Sequence, residues 1–215
     1  MKLLDQDSTL KLLKKYKIPI AKSKVCKNLE ECKKFSKQNG FPVAVKIDSP
    51  DIVHKSDVGA VKIGINNETD LKKAYTGIIS NCKKFKKDFS MNGMLIQKQY
   101  DGHNLLVGMK RDATFGPVIV FGIGGVTVEL LKDVSRKIAP ITKTQAKEMV
   151  KEIKMYKILE GYRGEKGAHI DSLVSILLKL SMLSMENEKV MEIDFNPIIS
   201  NDKKSVIVDA RVMIK

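Results

Sequence analysis

Residues Val190–Val212 read VMEIDFNPIISNDKKSVIVDARV, two apolar-rich runs around a polar turn. Asn201-Asp202-Lys203-Lys204 is a four-residue connection of common hairpin length. With those four as the loop, Ser200 faces Ser205, and every opposed pair sums to the same number. Asn196 then lies across from Asp209, and Asp194 across from Arg211, with Cβ atoms about 4.5–5.5 Å apart. Strict alternation puts Glu192, Asp194, Asn196 and Asp209 on one face. Ile193, Phe195, Ile199, Val206, Val208 and Ala210 occupy the other. Burying the apolar face leaves an acidic one, whose oxygen donors suit a hard cation such as Mg²⁺. A solvated strand face fits the same pattern, and a slip of one residue would remove the argument.

Working outward from this hairpin, strand and helix signals interleave. Upstream, Ile170–Met185 has the apolar spacing of a long helix, behind a loop of Gly and charge at Glu160–Gly167. Thr142-x-x-Gln145 caps a helix running to about Met155. Pro117–Ile123 reads as a buried strand, Asp112–Gly116 as a turn, and Asn104–Lys110 and Gly93–Gln99 as strands. Tyr100-Asp101-Gly102 between the last two reads as a hinge. In the first half, Ser8–Tyr16, the segment after Asn28-x-x-Glu31, and the segment from Asn67-x-x-Asp70 to about Phe85 read as helices. Pro42–Asp48 and Ala60–Asn66 read as strands. The alternation defines an α/β protein of α+β type, and the hinge divides it into lobes at 1–100 and 101–215.

The chain has 215 residues, long enough to remove roughly 70% of its unfolded surface from water. Its 43% hydrophobic and 30% charged residues are a globular balance. A formal charge of +14 is compatible with polyphosphate, nucleic acid or an anionic surface. With no Trp, and Tyr and Phe not interleaved with basic residues, a stacking platform for nucleic acid is not expected. Cys26, Cys32 and Cys82 form neither an even disulfide set nor a C-x-x-C pair, which points to a reduced, cytoplasmic setting. No apolar run suits a signal peptide or a membrane span.

Between the first-half strands lies SPDIVHKSDVG, polar and bounded by proline and glycine. It offers the imidazole of His54, the ammonium of Lys55, the hydroxyl of Ser56 and a close-approach backbone point at Gly59. Lys46 precedes it in a Val-rich strand. Polyphosphate needs such donors and positive charge. A neutral imidazole is also a competent nucleophile toward a phosphoryl group. A solvent-facing lysine and a hydrogen-bonding surface histidine account for the same residues. The chain has no G-x-x-x-x-G-K-[ST] sequence, and Gly122-x-Gly124-Gly125 lacks the third glycine of a dinucleotide fingerprint.

Phe41–Ile65 (FPVAVKIDSPDIVHKSDVGAVKIGI), Gly108–Val134 (GMKRDATFGPVIVFGIGGVTVELLKDV), LEGYRGE at Leu159–Glu165, MEIDFNPI at Met191–Ile198 and VDARV at Val208–Val212 occur in the order and spacing of one family. From about Leu12 to Val212 the chain resembles the ATP-grasp module, or β subunit, of ADP-forming acyl-CoA synthetases. The resemblance implies an ATP-grasp fold, two lobes enclosing the nucleotide. It implies the reaction acyl-CoA + ADP + phosphate = carboxylate + CoA + ATP, with a phosphohistidine relay. Carried over by motif, Lys46 would contact nucleotide phosphates beside Lys55, Ser56 and Gly59, and His54 would carry the phosphoryl group. Gln97, Lys98, Gln99 and Tyr100 would form the interlobe strand that receives the adenine. Asn196 and Asp209 would hold Mg²⁺ or Mn²⁺. The chain departs from the family where Gly59-Ala60 replaces Gly-Gly, where Lys98 replaces an acidic residue, and where Arg136-Lys137 replaces Phe-Arg.

The family resemblance further implies a CoA-binding α subunit, in an α₂β₂ assembly, because no CoA-binding half is present in the sequence. Neither nucleic acid nor membrane is an expected partner. The rival readings are another ATP-grasp carboxylate ligase working without a phosphohistidine, and a non-catalytic nucleotide-sensing subunit.

Overall fold

The computed structural model describes residues 1–52, 55–125 and 133–215. They fall into two compact units, one of residues 21–100 and one joining residues 1–20 to 101–215. Every strand-to-strand ladder among the described residues is antiparallel. Helices packed on antiparallel sheets make this the α+β form of the expected fold class. No helix among the described residues is long and apolar enough to cross a membrane.

The unit of residues 21–100 contains β2 (Ser23–Cys26), α2 (Leu29–Asn39), β3 (Val43–Asp48), β4 (Val61–Ile65), α3 (Glu68–Phe85) and β5 (Gly93–Lys98). Its sheet runs β2-β5-β3-β4. Both helices start where the sequence signals them. Asn28 accepts from Glu31 N and Asn67 from Asp70 N, each at 2.9 Å, satisfying donors that have no partner inside the helix. Val43, Val45 and Ile47 of β3 alternate inward to meet Leu71 and Ile78 of α3. Cys26, Cys32 and Cys82 are free thiols in the same core, where they act as small hydrophobes.

The other unit contains β1 (Lys2–Leu3), α1 (Gln6–Lys15), β6 (His103–Asp112), β7 (Gly116–Ile123), β8 (Val134–Ile138), α4 (Lys143–Glu152), α5 (Tyr156–Glu160), α6 (Ile170–Glu186), β9 (Val190–Ser200), β10 (Ser205–Ile207) and β11 (Ala210–Ile214). The sheet order is β1-β11-β9-β6-β7-β8, with β10 also on β9. Thr142 and Gln145 close a reciprocal capping box at α4. Leu173, Ile176, Leu177, Leu180 and Leu183 of α6 are fully buried at helical spacing, in one core with Phe121 and Phe195. Removing each such side chain from water contributes about 1.5–3 kcal/mol. The Arg111 guanidinium donates to the carbonyls of Ser184, Asn187 and Val190, so it satisfies one of the acceptors that the end of α6 leaves open and two just beyond it.

The first twenty residues depart from the division at residue 100. β1 pairs with β11, Lys2 opposite Ile214 and Leu3 opposite Met213. Leu13, Tyr16 and Ile18 are buried in the core of the second unit. These contacts place the N-terminal segment with residues 101–215, and the boundary between the two units falls between Tyr100 and Asp101.

Candidate functional site

The C-terminal hairpin keeps one offset from the Ser200–Ser205 pair as far as the Glu192–Met213 pair, and shifts only at Ile214. Ser205 pairs with Ser200 and Ile207 with Ile198; beyond a gap, Ala210 pairs with Phe195 and Arg211 with Asp194. The sum is the same on both sides of the gap, so Asn196 and Asp209 occupy opposed positions within it. On its other side β9 carries a bulge. Leu105 pairs with Ile198 and Val107 with Phe195, leaving Leu106 opposite two residues, Asn196 and Pro197. A bulge re-aims the side chains on either side of it.

That bulge corrects the strict alternation. Ile193 and Phe195 point into the core as expected, but beyond the bulge Ile198 and Ser200 are buried, while Ile199 is only partly so. On the facing strand Ser205, Val206 and Ile207 are all buried, whereas Val208 and Ala210 are half-buried. The side chain of Asn196 is exposed, and Asp209, Asp194 and Glu192 are half-buried. Burial pushes the Asp194 carboxyl above its ordinary value. The neighbouring Arg211 pulls it down, and the charges of Asp209 and Glu192 push it further up. This is a face carrying more negative charge than its one arginine offsets. Among the described residues no group of three or more His, Cys, Asp and Glu is placed to hold a metal.

In the unit of residues 21–100, Lys46 lies on β3 between Leu95 of β5 and Val61 of β4. Ala44 pairs with Gln97, so Lys46 and Gln97 are diagonal neighbours on one face of the sheet, turned from the Val43–Val45–Ile47 core. Lys98 has the opposite parity, and its Nζ donates to the Phe41 carbonyl at 2.6 Å. The backbone N–H groups of Lys98 and Gln99 donate to Lys22 and Pro42. Gln99 Oε1 accepts from Gly64 N at 2.7 Å. Tyr100, half-buried, ends the unit. The structure therefore groups Lys46 with Gln97 and commits the Lys98 ammonium within the unit itself.

The loop from β3 to β4 carries the other expected residues. His54 lies outside the described residues. Lys55 is half-buried and Ser56 exposed, and their carbonyls accept from Ala60 N and Gly59 N in a tight turn. Gly59 has φ +64, and a Cβ there would come within 2.7 Å of Asn81 Nδ2. Asn81 donates that amide to the Gly59 carbonyl at 3.1 Å. The left-handed turn thus favours glycine, and a larger residue would also displace the Asn81 amide. At the loop's other end Asp51 accepts from Lys86 Nζ and from Ser90 N, each at 2.6 Å. These two contacts, the lysine first, hold its carboxyl below the ordinary value. Spacing gives no signal for Asp51, Asn81 or Lys86, because their partners lie 22 to 39 residues away.

Two of the departures from the family pattern have a structural counterpart. Ala60 is fully buried, its methyl filling the core of its unit. Lys137 pairs with Glu152 at 2.8 Å and Glu148 at 3.6 Å, so its charge is directed to α4.

Known proteins agree with this architecture. A family model described as an ATP-grasp domain matches residues 1–214. The chain is 46% identical over 204 residues to the β subunit of acetate–CoA ligase [ADP-forming] I of Pyrococcus furiosus, covering 94% of this chain and 88% of that one. It superposes with TM-score 0.91 and 40% identity on an acetyl-coenzyme A synthetase of Ca. Korarchaeum cryptofilum solved with coenzyme A and Ca-AMPCP, covering 100% of this chain and 94% of that one. A second structure of that synthetase holds coenzyme A and Mg-AMPPCP, with a phosphohistidine segment pointing towards the nucleotide binding site. It matches with TM-score 0.85 and 39% identity, over 100% of this chain and 93% of that one. The chain belongs to the ATP-grasp family, among the β subunits of ADP-forming acetate–CoA ligases.

Proposed function

We propose that this chain is the nucleotide-binding subunit of an ADP-forming acyl-CoA synthetase, an acid–thiol ligase that moves a phosphoryl group between a phosphohistidine and ADP. The observation that carries the reading is the near full-length match to a separate β subunit, on a fold that superposes over the whole chain. A protein named as a β subunit implies a partner. We assign that partner the CoA-binding role, in an α₂β₂ assembly in the cytoplasm.

His54 is the phosphoryl carrier. In the ATP-consuming direction the terminal P–O bond breaks with its electron pair leaving on ADP. A P–N bond forms at one imidazole nitrogen, the other ring nitrogen keeping its proton. One difficult transfer between separate sites becomes two easier ones. Lys46 and Lys55 supply positive charge to the phosphates, and Ser56 and the Gly59 turn supply donors and close approach. Gln97, Lys98, Gln99 and Tyr100 receive the nucleoside. For Lys98 and Gln99 that contact rests on groups other than their backbone N–H, which are already engaged.

Asn196 and Asp209 are the residues that would hold Mg²⁺ or Mn²⁺. An amide and a carboxylate oxygen are hard donors, and Mg²⁺ takes one or two carboxylates and completes its shell with phosphates and water. The hairpin register supports the fit, since the same offset on both sides of the gap sets the Asn196 and Asp209 positions opposite one another. When bound, the ion would supply positive charge that neutralises the phosphates.

The test is ATP formation from acetyl-CoA, ADP and phosphate. The purified chain alone is expected to bind Mg-ADP without turning over, and to turn over once the co-purifying CoA-binding subunit is added. His54→Ala is expected to abolish that activity. Robust synthesis by the lone chain, or by the His54→Ala complex, would contradict the proposal.

A further inference from the structure

The loop between β3 and β4 is tied at both ends to one helix terminus. Its upstream end is held by Asp51, whose two oxygens accept from Lys86 Nζ and Ser90 N. Ser49 reinforces that end, its hydroxyl donating to the Ser90 carbonyl and accepting from Asp51 N. Ile52 then enters the core at 1% exposure. The downstream end is held by Asn81, which donates to the Gly59 carbonyl, and by Ala60, fully buried. Asn81 belongs to the last turns of α3, and Lys86 is its C-cap residue. The two ties bracket residues 52–58, which in sequence include His54, Lys55 and Ser56.

From this arrangement we infer that Asn81 and Lys86 are positioning residues for phosphoryl transfer, setting where the loop presents its groups. The inference rests on the function proposed above. Neither side chain acts on phosphate in this account: Asn81 engages a carbonyl and Lys86 a carboxylate. The need for such a device follows from the chemistry. A nucleophile carried on a loop must reach phosphorus in line, and a misplacement of about 1 Å costs on the order of 100-fold in rate. Rigid supports behind a reactive group supply that placement. Here α3 supplies them through its amphipathic packing, with Leu71, Ala74, Ile78 and Cys82 in the core. Asp51 and Gly59 are therefore both tied to the end of this helix, and the two ties act from residues only five apart.

The test uses the complex of this chain with its CoA-binding subunit, comparing wild type with Asn81→Ala, Asn81→Gln, Lys86→Ala and the double alanine variant. The readouts are kcat and KM for ADP, the yield of phosphohistidine from radiolabelled ATP, and the melting temperature. Each alanine variant is expected to lower kcat and the phosphohistidine yield about 10- to 100-fold while KM for ADP stays within about twofold. Asn81→Gln, which keeps the donor, recovers part of the loss. The double variant falls by less than the product of the single effects, because both act on one loop. Lys86 is exposed, so its variant folds even if an Asn81 variant does not. Unchanged kcat in Lys86→Ala, or a loss that tracks only melting temperature and KM, would overturn the inference. If wild type itself forms no phosphohistidine, the proposed function fails instead, and the two failures are told apart by that control.

Discussion

Asp194 of β9 lies directly across from Arg211 of β11. This pair fixes the offset that sets Asn196 opposite Asp209 two positions further along each strand. It also places one cation beside an otherwise acidic face. Metal affinity should therefore depend on both positions. Asn196→Ala and Asp209→Asn are each expected to raise the Kd for Mg-ADP at least about tenfold, with binding of metal-free ADP changed little. Titration calorimetry with and without Mg²⁺ checks this.

The bulge opposite Leu106 makes a prediction that simple alternation would reverse. Ile198 is fully buried and Ile199 is not. Ile198→Ala should cost about 2–5 kcal/mol, whereas Ile199→Ala should cost clearly less. Urea denaturation of the two variants ranks them. A larger loss at Ile199 would place the face switch elsewhere.

Gly59 combines a left-handed φ with a close contact to Asn81. Gly59→Ala is expected to destabilise the protein by about 1–3 kcal/mol, as for other residues forced into sparsely populated backbone regions. Adding Asn81→Gly relieves the contact but leaves the backbone conformation, so thermal denaturation should show partial recovery at best.

Asp51 supplies a pH dependence whose sign follows from its depressed carboxyl. Lys86 first, then Ser90 N, hold it below the ordinary value of 3.8. The stabilisation is present above that value and fades as pH falls through the lower folded-state value. The melting temperature of Asp51→Asn should lie below wild type near neutral pH, with the gap closing only below about pH 3.8. A gap independent of pH would mean that the ion pair contributes nothing.

Much of this was legible in local signals. The caps at Asn28, Asn67 and Thr142 mark helix starts because a side-chain oxygen three residues ahead of an orphan N–H is a local arrangement. The hairpin offset follows from turn length alone. What escaped was set at long range. Ser23–Cys26 is four residues with little alternation, and becomes a strand by pairing with β5. Val134–Ile138 hides its period behind Ser, Arg and Lys, and is defined by β7. The bulge in β9 exists only against β6, and the place of residues 1–20 depends on a strand at the opposite end of the chain. At the candidate site, the family resemblance suggested Lys46 and Gln97 separately, but only the β3–β5 register sets them diagonally adjacent on one face. For Lys98 the residue type gave no hint that its ammonium turns back to Phe41.

The central claim is that phosphate travels through His54, and the most direct measurement is on that residue. The complex with the CoA-binding subunit is incubated with Mg-ATP, quenched under alkaline conditions and digested, and the peptide spanning His54 is analysed by mass spectrometry. The account predicts one acid-labile phosphoryl group on His54, lost on adding ADP and absent from His54→Ala. A complex that makes acyl-CoA with no phosphoryl group on that peptide, and keeps its rate in His54→Ala, would contradict it.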